Sequence, residues 1–188
     1  MKKIIAKNFE ESISVKRKAL ETLSEEIEKS AKIMIDALKK GKKILIFGNG
    51  GSAADAQHFA AELMIRFKKE RKSLPALSLS TDVSAITACA NDYGYERLFE
   101  RQIEGLGNSG DVVVGITTSG NSENVIKAFD MAEKKGMKII CLNGKDGGKI
   151  KSKNVDVNLI IPSSVTARVQ ESHITIIHAW CELIDEEF

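Results

Sequence analysis

Residues 44–52 read ILIFGNGGS, and residues 112–122 read VVVGITTSGNS. In each stretch an apolar, strand-like run leads into a turn of small residues, and a helical pattern follows the turn. The free N–H groups and the dipole of a helix N-terminus favour negative charge, and glycine lets the backbone approach a ligand closely. The two stretches therefore predict a parallel sheet with two anion-binding loops at its carboxyl edge.

Strands and helices alternate outward from these two stretches. Apolar runs predict strands at residues 43–47, 76–79, 112–116, 138–142 and 157–161. Helical patterns lie at residues 52–66, 83–90, 96–104, 122–135 and 166–186. This alternation with short connections predicts the α/β class, with a doubly wound, five-stranded parallel sheet flanked by helices and joined by right-handed crossovers.

The composition is that of an ordinary globular chain and predicts one domain over residues 1–188. The 188 residues are 43% hydrophobic and 29% charged, which supplies a core without disulfides or metals. A net charge of +2 gives no basic excess, so neither nucleic acid nor an anionic membrane is expected as a partner. No apolar run approaches the roughly 20 residues that cross a bilayer.

The cysteine pattern predicts a reducing compartment. Cys89, Cys141 and Cys181 are scattered, and no CxxC pair occurs. An odd number of separated cysteines is typical of reduced thiols, and Cys141 is expected in the core because it lies within an apolar run. The amino-terminal residues become charged too soon for a signal-peptide centre. A cytoplasmic location is therefore expected.

A long helical segment precedes the first strand. Apolar residues recur at helical spacing from about residue 8 to residue 38: Phe9, Ile13, Leu20, Leu23, Ile27, Ala31, Met34 and Leu38. The segment fits one bent helix or two, ending near residues 39–41, where lysines and a glycine suit a helix C-terminus. The stripe packs either on its own sheet or on another copy of itself. We expect residues 1–40 to mediate oligomerisation.

The first loop also fits the loose dinucleotide pattern G-x-G-x-x-G/A over residues 48–53. That pattern requires an acidic residue at the tip of the second strand to hold the ribose. Asp82 comes only after that strand has ended, and no lysine follows the glycines as a P-loop requires. The loop is therefore either a tight turn or part of a site for another phosphorylated ligand.

The second loop is more specific because it gathers hydroxyl groups. Thr117, Thr118, Ser119 and Ser122 surround one predicted helix start. Ser122 alone would satisfy an ordinary N-cap, which needs only one hydroxyl. Four hydroxyls beside free backbone N–H groups instead indicate a phosphate site.

Imidazole and carboxylate groups lie near these loops. His58 and Glu62 share one face of the helix that follows the first loop, so they form either half of a zinc site or a solvated surface pair. On the last helix, His178 is the better functional candidate, whereas His173 fits a buried structural role. The Asn91-Asp92 pair forms either an ordinary Asx turn or a contact to a polyhydroxylated ligand.

Six segments in order span nearly the whole chain: GNGGS (48–52), DAQHFAAEL (55–63), AND (90–92), TTSGNS (117–122), GKDGG (144–148) and RVQESHITIIH (168–178). Together they resemble the sugar-isomerase (SIS) domain family, and within it the branch that acts on phosphorylated heptoses. The resemblance implies an aldose–ketose isomerase that converts sedoheptulose 7-phosphate to D-glycero-D-manno-heptose 7-phosphate through an enediol. It also implies a homotetramer and a role in bacterial lipopolysaccharide or capsule synthesis.

The resemblance further implies roles for individual residues. The implied substrate-binding residues are Asn49, Gly50, Gly51, Ser52, Glu62, Asn91, Asp92, Thr117, Thr118, Ser119, Ser122 and Gln170. One Zn²⁺ per subunit is implied, with His58, Glu62, Gln170 and His178 as ligands. Glu62 and His178 are also the implied catalytic base and acid. These residue types suit the reaction, because a carboxylate can move a proton between carbons while an imidazole serves the oxygens.

Two details complicate these implied roles. Gln170 and His178 are eight residues apart, which is about 12 Å along a straight helix. A shared ion would therefore require a bent helix or a site formed between chains. Ala167 stands where some family members carry an aspartate, which leaves the Thr166 hydroxyl as the nearby polar group.

Two other functions are compatible with parts of the sequence. A non-catalytic SIS protein that binds the bacterial replication initiator DnaA shares the fold, but it lacks the equivalents of Glu62 and His178, and both are present here. A nicotinamide-dependent oxidoreductase would need an acidic ribose ligand at the tip of the second strand, where this sequence has none. The sequence favours the isomerase.

Overall fold

The computed structural model describes residues 1–188 and confirms the five-stranded parallel sheet. The strands are β1 (Ile44–Gly48), β2 (Ala76–Ser78), β3 (Val112–Ile116), β4 (Lys138–Gly144) and β5 (Val157–Ile161). All neighbours pair in parallel, in the order β2-β1-β3-β4-β5. The apolar runs of β1 and β3 are buried throughout, because a parallel sheet between helical layers has no solvated face.

Six α-helices cover the two faces of the sheet: α1 (Lys2–Lys39), α2 (Gly51–Met64), α3 (Val83–Asp92), α4 (Leu98–Leu106), α5 (Glu123–Lys134) and α6 (Thr166–Asp185). One apolar core lies between the sheet and α1, α2 and α6, and a second lies between the sheet and α3, α4 and α5. Successive strand residues point to opposite cores, so Val112 and Val114 contribute to the first core and Val113 to the second.

The amino-terminal segment is one continuous helix that begins at Lys2, earlier than the predicted residue 8. No glycine or proline occurs before Gly41, so nothing in the sequence interrupts the helix. Its second half packs on α6 and β5 and buries Leu23 and Met34. In its first half, Phe9 and other apolar side chains are exposed.

Two further differences from the predicted elements are local. A short 3-10 helix at Tyr95–Arg97 precedes α4, which therefore begins at Leu98 rather than at residue 96. A second 3-10 helix, Gly148–Ser152, follows the predicted turn after β4. Although α1 has enough residues to cross a bilayer, no helix in the chain combines that length with sufficient apolar character.

The strand order places a topological switch point between β1 and β3. Gly48 pairs with Ile116, so both strands end at the same edge. The chain leaves β1 for α2 on one face and leaves β3 for α5 on the other. Open α/β sheets bind ligands at the carboxyl ends of strands where the winding reverses in this way. The two loops defined by residues 48–52 (loop 1) and 117–122 (loop 2) lie at that point.

Candidate functional site

Side-chain hydrogen bonds join loop 1 to the helix that follows loop 2. The amides of Asn49 and Asn124 pair reciprocally, with N···O distances of 2.9 and 2.8 Å. The Tyr95 hydroxyl donates to the Asn49 side-chain oxygen at 2.9 Å. A Cβ at Gly48 would lie only 2.9 Å from the Ile116 carbonyl oxygen, so glycine lets loop 1 approach β3. The two loops therefore converge at one place on the sheet edge.

The hydroxyls of loop 2 contact one another rather than capping α5. Ser122 occupies the N-cap position, but its side chain accepts no cap hydrogen bond and lies 3.1 Å from Thr117 Oγ1. The backbone N–H groups of Glu123 and Asn124 have no partner within the chain. Free N–H groups beside clustered hydroxyls form the arrangement that binds an anion.

Loop 2 rests on the turn that follows β4. The Ile150 N–H donates to the Gly120 carbonyl at 3.1 Å, and the Lys149 N–H donates to Asn121 Oδ1 at 3.1 Å. Gly120 has a φ of 67°, and a Cβ there would overlap the Gly147 carbonyl oxygen. The GKDGG segment and the two residues that follow it thus support loop 2, a role that their sequence alone does not reveal.

His58 and Glu62 on α2 meet His178 on α6. His58 Nε2 lies 3.2 Å from Glu62 Oε1 and 3.0 Å from His178 Nε2. The ring of Phe67 stacks on the His178 imidazole, with the two ring centroids 5.5 Å apart. A pocket of about 590 Å³ opens beside His58 and includes exposed apolar side chains such as Leu77.

The donor atoms of this cluster are of the types that bind zinc. Two imidazoles and one carboxylate form a common catalytic zinc ligand set, in which the fourth position is open. His58 contacts both of its neighbours, but no contact joins Glu62 to His178. No three His, Cys, Asp or Glu side chains of the chain form a ready-made ion site. The residue types therefore fit zinc, while coordination of one ion by all three side chains requires them to move.

Gln170 does not join this cluster within one chain. Its amide packs against Gly51, where a Cβ would overlap the Gln170 nitrogen. These two residues line a separate pocket of about 300 Å³ with Asp55, Glu171 and Ile174. Because α6 is one unbroken helix over this range, Gln170 stays about 12 Å along the axis from the other predicted ligand on α6. Gln170 therefore faces loop 1 of its own chain.

The Asn91-Asp92 pair lies at the end of α3, and its side chains are exposed. The Asn91 amide donates to Asp92 Oδ1 at 2.7 Å, and neither side chain contacts loop 1 or loop 2 directly. Asp82, which comes too late in the chain to hold a ribose, is the N-cap of α3 and accepts a hydrogen bond from the Ala85 N–H at 3.0 Å. A capping role explains this carboxylate without any cofactor.

His173 has the buried structural role that the sequence predicts. Its side chain is fully buried, and Nε2 lies 2.9 Å from the Asn143 carbonyl oxygen. Since a carbonyl only accepts, Nε2 carries a proton, whereas the buried Nδ1 has no hydrogen-bond partner. Burial lowers the pKa of His173 to about 4, which keeps the ring neutral at physiological pH.

Several residues around the site escaped the sequence analysis. Tyr95 and Asn124 hold Asn49, but nothing local marks them, because their contacts depend on tertiary packing. Asp55 lies three residues before His58 on α2, and this i, i+3 spacing could have shown that the two side chains share a helix face. Burial raises the pKa of the Asp55 carboxyl, and one of its oxygens is buried without a hydrogen-bond partner.

Comparisons with known proteins agree with one another. Residues 8–144 match the SIS domain family. The phosphoheptose isomerase of Aliarcobacter butzleri is 52% identical over 187 residues, which cover 100% of this chain and 98% of that protein. The structure of phosphoheptose isomerase GmhA from Neisseria gonorrhoeae has a TM-score of 0.92 and 48% identity, covering 98% of both chains. A phosphoheptose isomerase structure from Francisella tularensis has a TM-score of 0.94 and 40% identity, covering 98% of this chain and 97% of that one.

Proposed function

This chain belongs to the SIS domain family and is a sugar-phosphate isomerase of heptose biosynthesis, and we propose that it converts sedoheptulose 7-phosphate to D-glycero-D-manno-heptose 7-phosphate. The observation that carries this proposal is the meeting of His58, Glu62 and His178 on helices that also reach loop 1. A carboxylate and imidazoles near a phosphate-binding edge provide the proton-transfer groups that an aldose–ketose isomerisation requires.

In the proposed reaction, loop 2 holds the phosphate and the sugar extends toward α2. The phosphate monoester of the sugar is bound by the free N–H groups of α5 and by the hydroxyls of Thr117, Thr118, Ser119 and Ser122. Backbone groups of Asn49, Gly50, Gly51 and Ser52 bind sugar hydroxyls, because the Asn49 amide is already bonded to Asn124. Gln170, Asn91 and Asp92 are the other polar side chains that bind the sugar in this proposal. Phosphate binding at one end thus orients C1 and C2 at the other.

Glu62 is the proposed base and His178 the proposed acid. The Glu62 carboxylate takes a proton from one of the two carbons and returns it to the other, through an enediol. The His178 imidazole moves the second proton between the two oxygens. Both groups are partly exposed to solvent, so substrate can reach them.

His58, Glu62 and His178 are the residues of one chain that would hold zinc, with Gln170 as the proposed fourth ligand. Bound zinc would polarise the substrate carbonyl and stabilise negative charge as the enediol forms. Glu62 is a weaker base while it is a ligand, so its two proposed roles alternate. Gln170 faces loop 1 of its own chain and therefore does not reach the zinc ligands of that chain. We propose that Gln170 of a neighbouring subunit supplies the fourth ligand, at a site formed between the subunits of a homotetramer.

The proposed product is a precursor of the heptose in bacterial lipopolysaccharide or capsule, and the proposed location is the cytoplasm. The three cysteines are free and buried, as reduced thiols would be. The relatives reported above are named as isomerases and give no support to binding of the initiator DnaA. The retained acid and base residues also favour catalysis over a purely binding function.

Turnover by the Glu62→Gln variant tests this assignment. Wild-type protein incubated with sedoheptulose 7-phosphate, with and without added zinc, is expected to form an aldose 7-phosphate that chromatography separates from the ketose. Glu62→Gln keeps the size of the side chain but removes the base, so kcat should fall by roughly 10²–10⁴-fold.

The matched control is Glu104→Gln on α4, which changes an exposed carboxylate on the opposite face of the sheet. It should turn over at the wild-type rate. If wild-type protein forms no aldose under either zinc condition, the proposed substrate is wrong. A Glu62→Gln variant with a near-normal rate would remove Glu62 from the role of base.

A further inference from the structure

The segment between α2 and β2, residues 65–75, forms no regular structure, yet a buried ion pair fixes part of it. Arg71 Nε donates to Asp185 Oδ1 at 2.7 Å, and both side chains are almost completely buried. The other oxygen of Asp185 accepts the backbone N–H groups of Lys68 and Lys69 at 2.9 and 3.0 Å. The last turn of α6 therefore anchors this segment at several points.

The same guanidinium also binds the end of α2. Arg71 Nη2 donates to the Glu62 carbonyl, and Nη1 donates to the Leu63 carbonyl, each at 2.9 Å. The last carbonyls of a helix lack partners within the helix, and here a cation satisfies two of them. Glu62 is thus held through its backbone by a residue nine positions later in the chain.

Within the anchored segment, Phe67 lies against the functional cluster. Its ring is nearly parallel to the His178 imidazole, with an interplanar angle of 25° and a centroid distance of 5.5 Å. A second neighbour of that imidazole is His58, whose Nε2 is 3.0 Å from His178 Nε2. The imidazole therefore contacts an aromatic ring through its face and His58 through its Nε2 atom.

We propose that Phe67 is a positioning residue for the isomerisation, holding His178 so that Nε2 faces His58 and the substrate, and that the Arg71–Asp185 pair keeps Phe67 in place. This inference rests on the proposed function. An imidazole that transfers protons must keep its orientation, because misplacement by about 1 Å can reduce a rate by about a hundredfold. Phe67 acts through His178 and makes no contact of its own with the substrate.

Phe67→Leu is the direct test, since leucine keeps an apolar side chain but cannot stack on the imidazole. We expect kcat for sedoheptulose 7-phosphate to fall at least about tenfold, with KM changed by less than about twofold because no substrate contact is lost. Phe67→Tyr retains the ring and should restore kcat. Arg71→Lys keeps the charge but loses the forked donors, and it should reproduce the loss of kcat if it folds.

The matched control is Phe99→Leu, which removes a fully buried ring in the other core, away from His178. It should lower stability at least as much as Phe67→Leu while leaving kcat unchanged. Equal loss of kcat in both variants would show that only stability matters and would overturn the inference. So would wild-type kcat in Phe67→Leu.

A second measurement needs no turnover. The chain has three histidines, so their imidazole Cε1–H signals can be assigned by single substitutions in proton–carbon NMR spectra. In Phe67→Leu the His178 signal should move, because the ring current of Phe67 is lost, while the His173 signal should not. If wild-type protein does not isomerise the heptose, the proposed function fails, and this spectrum then tests only the contact between Phe67 and His178 on which the inference depends. An unmoved His178 signal overturns it.

Discussion

His173 and His178 lie five residues apart on α6, yet the fold gives them opposite properties. His173 is enclosed in the core and donates to a backbone carbonyl, so it remains neutral. His178 is partly exposed and meets His58 and Phe67. At the scale of the residue, the surroundings rather than the residue type decide which imidazole is available for chemistry.

The neutral state of His173 predicts a loss of stability in acid. An unfolded histidine binds a proton near pH 6.5, whereas folded His173 resists protonation until about pH 4. The unfolded state binds more protons between these values, so the free energy of unfolding should decrease as pH falls from 6.5 toward 4. The full effect is on the order of 3 kcal/mol.

Urea unfolding at several pH values from 7 to 4.5 measures this dependence. His173→Gln should flatten it, because glutamine can donate to the same carbonyl but does not titrate. His58→Gln, which changes a partly exposed imidazole, is the matched control and should retain the wild-type slope. A His173→Gln variant with an unchanged slope would assign the acid sensitivity to other groups.

At the scale of the element, loop 2 depends on a second element that lies far away in the sequence. The turn after β4 contacts it through Gly147, Lys149 and Ile150. Lys145 in that turn is the one non-glycine residue with a positive φ, at 56°. The Lys145 N–H donates to the Ser163 carbonyl at 3.1 Å, so the segment after β5 helps to hold the turn in this conformation.

Gly120→Ala should therefore weaken phosphate binding as well as stability. The Gly120 backbone has a left-handed conformation, and a Cβ there would overlap the Gly147 carbonyl oxygen. Loop 2 must therefore shift, which should lower the free energy of unfolding by roughly 1–3 kcal/mol. We expect KM for the sugar phosphate to rise more than kcat falls. Steady-state kinetics and thermal unfolding measure the two effects.

The control is Gly105→Ala in α4, where a Cβ meets nothing within 4 Å and φ is not positive. Alanine in a helix should increase the unfolding free energy there by about 0.5–1 kcal/mol and leave KM unaltered. An unaltered KM in Gly120→Ala would mean that loop 2 does not bind the phosphate, or that it tolerates the shift.

At the scale of the whole molecule, the first half of α1 is the unusual feature. Ile5, Phe9 and Ile13 are each more than half exposed, although their spacing of four residues places them on one face of the helix. Arg168 tethers this half through hydrogen bonds to the backbone and side-chain oxygens of Asn8 and through an ion pair with Glu11. An apolar helix face of this length without a partner in its own chain is typical of an oligomer interface.

Phe9→Glu should therefore dissociate the proposed tetramer without unfolding the chain, because Phe9 is 69% exposed and contributes nothing to either core. Sedimentation equilibrium should show a lower mass, while circular dichroism remains that of the wild type. Activity should fall with the mass, since the zinc site is proposed to lie between subunits.

Arg17→Glu, which changes an exposed charged residue on the same helix, is the control and should retain the wild-type mass. The proposal fails if wild-type protein is monomeric and active. It also fails if Phe9→Glu keeps both the mass and the activity of the wild type.

The sequence by itself determined the sheet, the two loops at its edge and the shared helix face of His58 and Glu62. Strand alternation, small-residue turns and the hydroxyls of residues 117–122 are local patterns, and local patterns are set by backbone sterics and the spacing of apolar residues. The i, i+4 pair of His58 and Glu62 is also a local pattern, because a helix places residues four positions apart on one face whatever surrounds it.

Only the tertiary structure decided which side chains from distant segments meet. It paired Asn49 with Asn124, joined Arg71 to Asp185, laid Phe67 on His178 and directed Gln170 toward loop 1. These contacts join residues that are far apart in the sequence, and they depend on how two helical layers pack on one sheet. No local periodicity encodes that packing. Packing also left the first half of α1 uncovered, because the sheet is too short to bury the whole helix.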